Sequence, residues 1–260
     1  MSGWGRGSPR RRGRSFELVT VGAVGLLLAG CGTDFGAPHA ATEQGTETAS
    51  LWRIFLVGAL AVAALIWILV LWSVLRYRRR RGDDGEVPPQ RQYNNKMEVL
   101  YTVVPIVAVA FLFAITVVAT EKVTSTSARP DLTIDVHGFQ WQWRFDYKGQ
   151  GITINGVQGS PPELVLPVGE TIQFDLISDD VIHSFWVPEF LEKRDLIPGQ
   201  KNEVQVKITA PGEWAGRCAE FCGLDHWLMT FTVRAVPRDV FQAWVEQASA
   251  QPQPILSTTR

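Results

Sequence analysis

Residues 54–72 are nineteen consecutive positions without a polar side chain. As a helix, a run of that length spans a hydrocarbon core of about 30 Å, and a buried core helix fits neither the length nor the charges that follow. Arg76, Arg78, Arg79, Arg80 and Arg81 come at once. Positive residues stay on the cytoplasmic side, so a first membrane helix over 51–75 runs from outside to inside. Residues 76–97 make a short polar loop with Pro88-Pro89. A second run, 99–119, is interrupted only by Tyr101, Thr102, Pro105 and Thr116, and a helix over 98–120 returns the chain outside. The sequence therefore predicts a two-helix transmembrane hairpin. Everything after it faces outward, as does the small, polar segment before it (31–50), which has no Lys or Arg and reads as a flexible linker.

The first thirty residues have the form of a targeting segment. Arg6, Arg10, Arg11, Arg12 and Arg14 precede an apolar stretch, 18–29, too short to cross a bilayer. It ends in Leu28-Ala29-Gly30-Cys31, which resembles the bacterial lipoprotein cleavage motif, in which the Cys becomes the lipidated N-terminus. Ordinary signal cleavage nearby, with Cys31 incidental, is the alternative. The chain has three cysteines; removing Cys31 from the count leaves a single pair.

Charge is segregated along the chain. Residues 1–120 carry 13 Lys/Arg against 8 Asp/Glu, and residues 121–260 carry 12 against 18, a net of -6. A basic, apolar first half and an acidic second half describe a membrane anchor bearing a separate domain. From about Asp131 the pattern turns to short alternating runs, at 132–136, 151–155, 163–166, 171–177, 204–209 and 228–235, divided by Gly, Pro and Asp turns. That is the pattern of a β-sandwich or barrel, placed over 121–236. Residues 237–250 read as a short amphipathic helix opened by Pro237, with Val240, Phe241, Trp244 and Val245 on one face, and 251–260 as a tail. Alternation places Phe139, Trp141, Trp143 and Phe145 together on one strand face, with most of them as core packing.

The stretch 217–229 is the densest in chemistry. Cys218, Cys222, His226 and Met229 are spaced C-x3-C-x3-H-x2-M. Thiolate and thioether are soft ligands that favour copper, and imidazole suits it too. One Cys with a His and a Met would read as a mononuclear site; two thiolates four residues apart can bridge a pair of coppers. The second imidazole then comes from elsewhere, and His183, 35 residues upstream of Cys218 in a strand-like segment, is the candidate. C-x3-C alone fits a disulfide equally well outside the cytoplasm; His226, Met229 and His183 tip the choice to copper. His137 and His39 have no partner at ligand spacing and read as strand and linker residues.

The copper loop and the chain around it, from the first membrane segment almost to the C-terminus, resemble subunit II of haem-copper cytochrome c oxidase, which carries the binuclear CuA centre. The resemblance implies a cupredoxin-like Greek-key domain, with Cys218 and Cys222 bridging two coppers. It makes His183, His226, Met229 and the Glu220 carbonyl the terminal ligands. It gives the Glu220 carboxylate to a magnesium ion shared with subunit I, and Asp195, in Lys193-Arg194-Asp195, a place near that ion or in a plain turn. Gly138-Phe139-Gln140-Trp141-Gln142-Trp143 resembles the family's aromatic signature, which makes Trp141 the residue that accepts electrons from a docked c-type cytochrome. Phe139 and Gln142 replace its usual His and Tyr. Glu98, in Glu98-Val99-Leu100-Tyr101-Thr102-Val103-Val104-Pro105, matches the mouth of a proton pathway into subunit I, with Tyr101 for the usual Trp. An acid at a helix N-terminus is also an ordinary dipole partner.

The expected function is thus that of subunit II of a proton-pumping oxidase in a bacterial cell membrane. It would take electrons from a c-type cytochrome and pass them to subunit I, which holds the haems, with subunit III as a further partner and no nucleic acid. Two rivals are a quinol-oxidase subunit II, which lacks the copper ligands, and a membrane-tethered copper chaperone with C-x3-C and a distant His, whose fold would be thioredoxin-like α/β.

Overall fold

The computed structural model describes residues 36–78, 87, 90–157 and 159–250. The described residues from 40 onward form one compact unit, with 36–39 assigned to another. The leader, Cys31, the 251–260 tail and most of the Arg-rich loop lie outside the described residues.

Two long helices come first, α1 (Glu43–Tyr77) and α2 (Asn95–Thr124). Both are long and apolar enough to cross a membrane, and the apolar window of each is unburied by protein. α1 starts eight residues before its expected beginning, so 43–50, read as linker, are helical. The cause is at Thr42, a fully buried residue in extended conformation whose hydroxyl accepts from Gly45 N–H at 2.9 Å. That satisfies a donor which the first turn would otherwise leave unpaired. α2 is capped in the same way by Asn94, and Glu98 Oε1 accepts from the Asn94 N–H at 3.0 Å.

The rest is a sandwich of two five-stranded sheets, of the expected cupredoxin-like type. Its strands are β1 (Leu132–Phe139), β2 (Gln142–Tyr147), β3 (Ile152–Asn155), β4 (Glu163–Pro167), β5 (Thr171–Ser178), β6 (His183–Val187), β7 (Glu192–Leu196), β8 (Asn202–Lys207), β9 (Gly212–Cys218) and β10 (Thr230–Val236). One sheet has the order β3-β2-β1-β5-β8 and the other β4-β10-β9-β6-β7. Only β1–β5 and β4–β10 pair in parallel.

Alternation decides which side chains are inside. In β1, Leu132, Ile134 and Val136 are buried while the residues between them are not. Across the sandwich, Phe185 stacks on Phe231 at 4.9 Å between centroids, and Trp143 meets Phe231 edge-on at 5.3 Å. A last helix, α3 (Arg238–Ala250), closes one end by placing Trp244 5.1 Å from the ring of Tyr147. The aromatic run 139–145 departs from its expectation. Phe139 pairs with Gln142, so Gln140 and Trp141 form a hairpin loop between two strands. Trp143 and Phe145 enter the core, and Trp141 stands at the loop, half-buried.

Candidate metal centre

β9 and β10 form a hairpin whose last rung is the Cys218 N–H donating to the Met229 carbonyl at 2.9 Å. Residues 219–228 leave the ladder at this rung and fold back over the end of the sandwich. The Ala219 N–H donates to the Ser184 carbonyl at 3.0 Å, which draws the loop against the start of β6. His183 is the first residue of that strand and is fully buried. At the far side of the loop Gly223 has φ +123°, and a Cβ there would lie 3.1 Å from both Gln140 Nε2 and Trp141 Cζ2. A bare α-carbon therefore lets the β1–β2 loop close in. Gln140 Nε2 and Trp141 Nε1 both donate to the Cys222 carbonyl, at 2.8 and 3.2 Å.

These constraints converge five side chains and one carbonyl. The Cys218 and Cys222 sulfurs are 3.9 Å apart and both thiols are free. Cys218 Sγ lies 3.8 Å from His183 Nδ1 and 3.2 Å from the Glu220 carbonyl oxygen. Cys222 Sγ lies 3.5 Å from His226 Nδ1 and 3.8 Å from Met229 Sδ. The donor atoms of His183, Cys218 and Cys222 fall within 4.8 Å of one another. Two sulfurs at the centre with one imidazole on either side, all aimed inward, form a soft donor set suited to copper. The disulfide alternative is not realised.

The two thiols are shifted in opposite directions. Burial alone would push the Cys218 thiol up, but His183 beside it holds the group down to about 7. Burial, and then the charge of Cys218, push the Cys222 thiol up to about 12. A cation between the sulfurs would relieve that repulsion.

Asp180 was not singled out in the sequence, and the structure gives it a part in the site. Its Oδ1 lies 2.8 Å from His183 Nε2 and accepts from the Val181 N–H, and its Oδ2 accepts from the Gln140 N–H at 2.7 Å. With Nε2 donating to Asp180, the lone pair of His183 stays on Nδ1, facing Cys218. The available signal was an acid three residues before the ligand in a turn. Trp143 was read as core packing; its Nε1 also donates to the Met229 carbonyl at 3.3 Å, from beneath the site.

The remaining predicted residues are spread more widely. The Glu220 carboxylate pairs with Lys193 Nζ at 2.6 Å. Asp195 is half-buried on β7 opposite Ser184, in a strand rather than a turn. Glu98 caps α2, and His137 lies in β1 between Asp179 and Asp146, at 3.1 and 3.4 Å.

Residues 159–236 match the family model for the periplasmic domain of cytochrome c oxidase subunit II. The chain is 37% identical to a probable cytochrome c oxidase subunit 2 of Streptomyces avermitilis, over 95% of this chain and 91% of the relative. The chain belongs to the cytochrome c oxidase subunit 2 family. A cytochrome c oxidase subunit 2 of Mycobacterium tuberculosis is 32% identical, over 94% of this chain and 84% of its own. The solved periplasmic domain of cytochrome oxidase subunit II from Bradyrhizobium japonicum is 35% identical, covering 49% of this chain and 100% of its own, with a TM-score of 0.46. The protein is thus subunit II of a haem-copper oxidase, with two apolar helices and a periplasmic C-terminal domain.

Proposed function

We propose that this subunit accepts electrons from a c-type cytochrome at a binuclear copper centre and delivers them to the haem-bearing subunit I of a proton-pumping oxidase. The observation that carries the proposal is the paired geometry: two free thiols 3.9 Å apart, each with an imidazole Nδ1 within 3.8 Å. Cys218 and Cys222 would bridge, with His183, His226, Met229 and the Glu220 carbonyl at the ends. When bound, copper supplies a one-electron acceptor and donor.

The protein's part is to hold these donors still. Asp180 fixes the His183 tautomer, the Gln140 and Trp141 hydrogen bonds pin the Cys222 carbonyl, and burial of Cys218, Cys222, His183 and Met229 keeps water from the sulfurs. Neither rival is favoured, because the ligand set is complete and the domain is all-β.

Trp141 supplies the path inward, since its ring joins the outer loop to the Cys222 backbone. In the loop that carries Cys222, Phe221, Leu224 and Trp227 stand 81%, 82% and 73% exposed, an apolar surface for close contact with a donor. The acidic charge of the outer domain would steer the encounter. On the opposite side the Lys193–Glu220 pair, with Asp195 nearby, faces subunit I and offers carboxylates to a shared magnesium ion. Subunit III is a further partner, Glu98 serves proton uptake from the cytoplasmic end, and Cys31 is the site of lipidation.

The test is the near-infrared and EPR spectrum of the copper-loaded full-length subunit. A delocalised two-copper signal that vanishes in Cys218→Ser and Cys222→Ser is expected. A native spectrum in either variant would sink the assignment.

A further inference from the structure

β8 stands at the edge of its sheet, and its two faces have different partners. Val204 and Val206, followed by Ile208, are buried in the sandwich. The alternate residues Gln205, Lys207 and Thr209 point the other way, as a period of two requires, and each meets a connection to the membrane helices. Gln205 takes the segment after α2. Its Oε1 accepts from the Ser127 N–H at 2.6 Å, and its Nε2 donates to the Ser127 carbonyl at 3.0 Å.

Lys207 and Thr209 take the start of α1. The Lys207 N–H donates to Gln44 Oε1 at 3.0 Å, and its ammonium pairs with Glu43 at 2.9 Å. The Thr209 N–H donates to the Ala41 carbonyl at 3.0 Å. From the other sheet, the Ala41 N–H donates to the Glu189 carbonyl at 2.8 Å, in the short turn between β6, which begins with His183, and β7. The joint has no slack. A Cβ on Gly45 would lie 2.8 Å from the Phe190 carbonyl oxygen and 3.0 Å from Thr42 Oγ1.

We infer that Gln205, Lys207 and Thr209, closed against Thr42 and Gly45, form a two-point bracket that fixes the copper domain's orientation on the membrane hairpin. Gly45 and Thr42 are then positioning residues for onward electron delivery, a role that rests on the function proposed above. They touch no copper ligand. Their effect should appear in the step from the copper centre to the partner subunit and not in the centre itself.

The test uses the assembled oxidase with Gly45→Ala, Thr42→Ala and Thr42→Ser. Ala is a stronger helix former than Gly, so any loss in Gly45→Ala comes from crowding against Phe190 and the Thr42 cap and not from helix propensity. The two-copper spectrum and the rate of reduction by the cytochrome should stay native. Transfer from copper to haem should slow several-fold in Gly45→Ala and Thr42→Ala and recover in Thr42→Ser, which keeps the capping hydroxyl. Native onward transfer in both Ala variants would overturn the bracket.

If a variant fails to assemble, amide hydrogen exchange on the isolated full-length subunit decides. Ala41, Lys207 and Thr209 should lose protection in Gly45→Ala, and unchanged protection there would also overturn it. Absence of a two-copper signal in the native protein would refute the proposed function alone, because the exchange measurement judges the bracket without copper.

Discussion

Replacing Asp180 by Ala tests whether the imidazole of His183 is held by its neighbour or by packing alone. The substitution leaves every candidate copper ligand in place. It removes the acceptor 2.8 Å from His183 Nε2 and the partner of the Val181 and Gln140 N–H groups. A hydrogen bond to a charged group contributes about 1.5–3 kcal/mol net. Loss of an outer partner of a metal-binding His costs 10- to 100-fold in affinity as a rough range. The two figures agree, since each factor of ten corresponds to about 1.4 kcal/mol. The Asp180 side chain is 26% exposed, and solvent screens it in part. The loss should therefore fall at the lower end, on the order of 10- to 30-fold. Titration of the apo subunit with copper against a competing chelator measures it, with the EPR spectrum recorded at saturation. Asp180→Asn, which keeps an oxygen in place, should lose less. Asp179→Ala should leave the affinity native, because Asp179 pairs with His137 and Arg144 and not with a ligand. Copper affinity and spectrum unchanged in Asp180→Ala would refute the reasoning.

In the centre proposed above, Met229→Leu removes a weak ligand and should change the reduction potential and the charge distribution between the coppers more than the copper content; redox titration alongside metal analysis separates the two. Gly223→Ala forces a side chain into φ +123° and to within 3.1 Å of Trp141. It should cost about 1–3 kcal/mol, visible as a lower thermal midpoint with loss of the native copper spectrum. Burial would raise the Asp175 carboxyl, but hydrogen bonds from Lys148 and Gln173 hold it below the usual range. Its contribution to stability is present above its unfolded value and is lost as pH falls through the lower folded value. Lys148→Met removes the larger of the two opposing hydrogen bonds and leaves Gln173 to offset the burial, so the acid-unfolding transition should move to higher pH, and an unchanged midpoint in a fluorescence titration would refute that linkage.

The features legible in the sequence were those whose cause is local. A nineteen-residue apolar run admits little but a membrane helix. The spacing from Cys218 to Met229 brought its ligands together because one hairpin loop carries them all, and His183 was found through the need for a second imidazole. The misread parts have distant causes. Residues 43–50 are helical partly because Gln44 meets Lys207, 163 positions away, so their small, polar composition misled. Phe139 to Phe145 alternate as a strand does, yet the hairpin at Gln140-Trp141 divides them, with Asp180 accepting the Gln140 N–H. β7 was not among the expected strands because the charge of its Glu-Lys-Arg-Asp run, on an edge strand, hides the strand signal.

The unbroken helix from Glu43 to Tyr77 makes the segment between the outer domain and the apolar run beginning at 54 intolerant of length changes. Inserting one residue between Gly45 and Ile54 raises the domain by only about 1.5 Å but turns it by about 100° about the helix axis. The copper loop could then face a new direction only by parting Gln205 from Ser127, the attachment after the second helix. Substitutions on the outer face of this stretch should be nearly silent, whereas single insertions or deletions should abolish coupling to the rest of the oxidase. An insertion of seven residues, about two full turns, should restore the facing but still strain the Gln205–Ser127 attachment, since the second helix is not lengthened with the first.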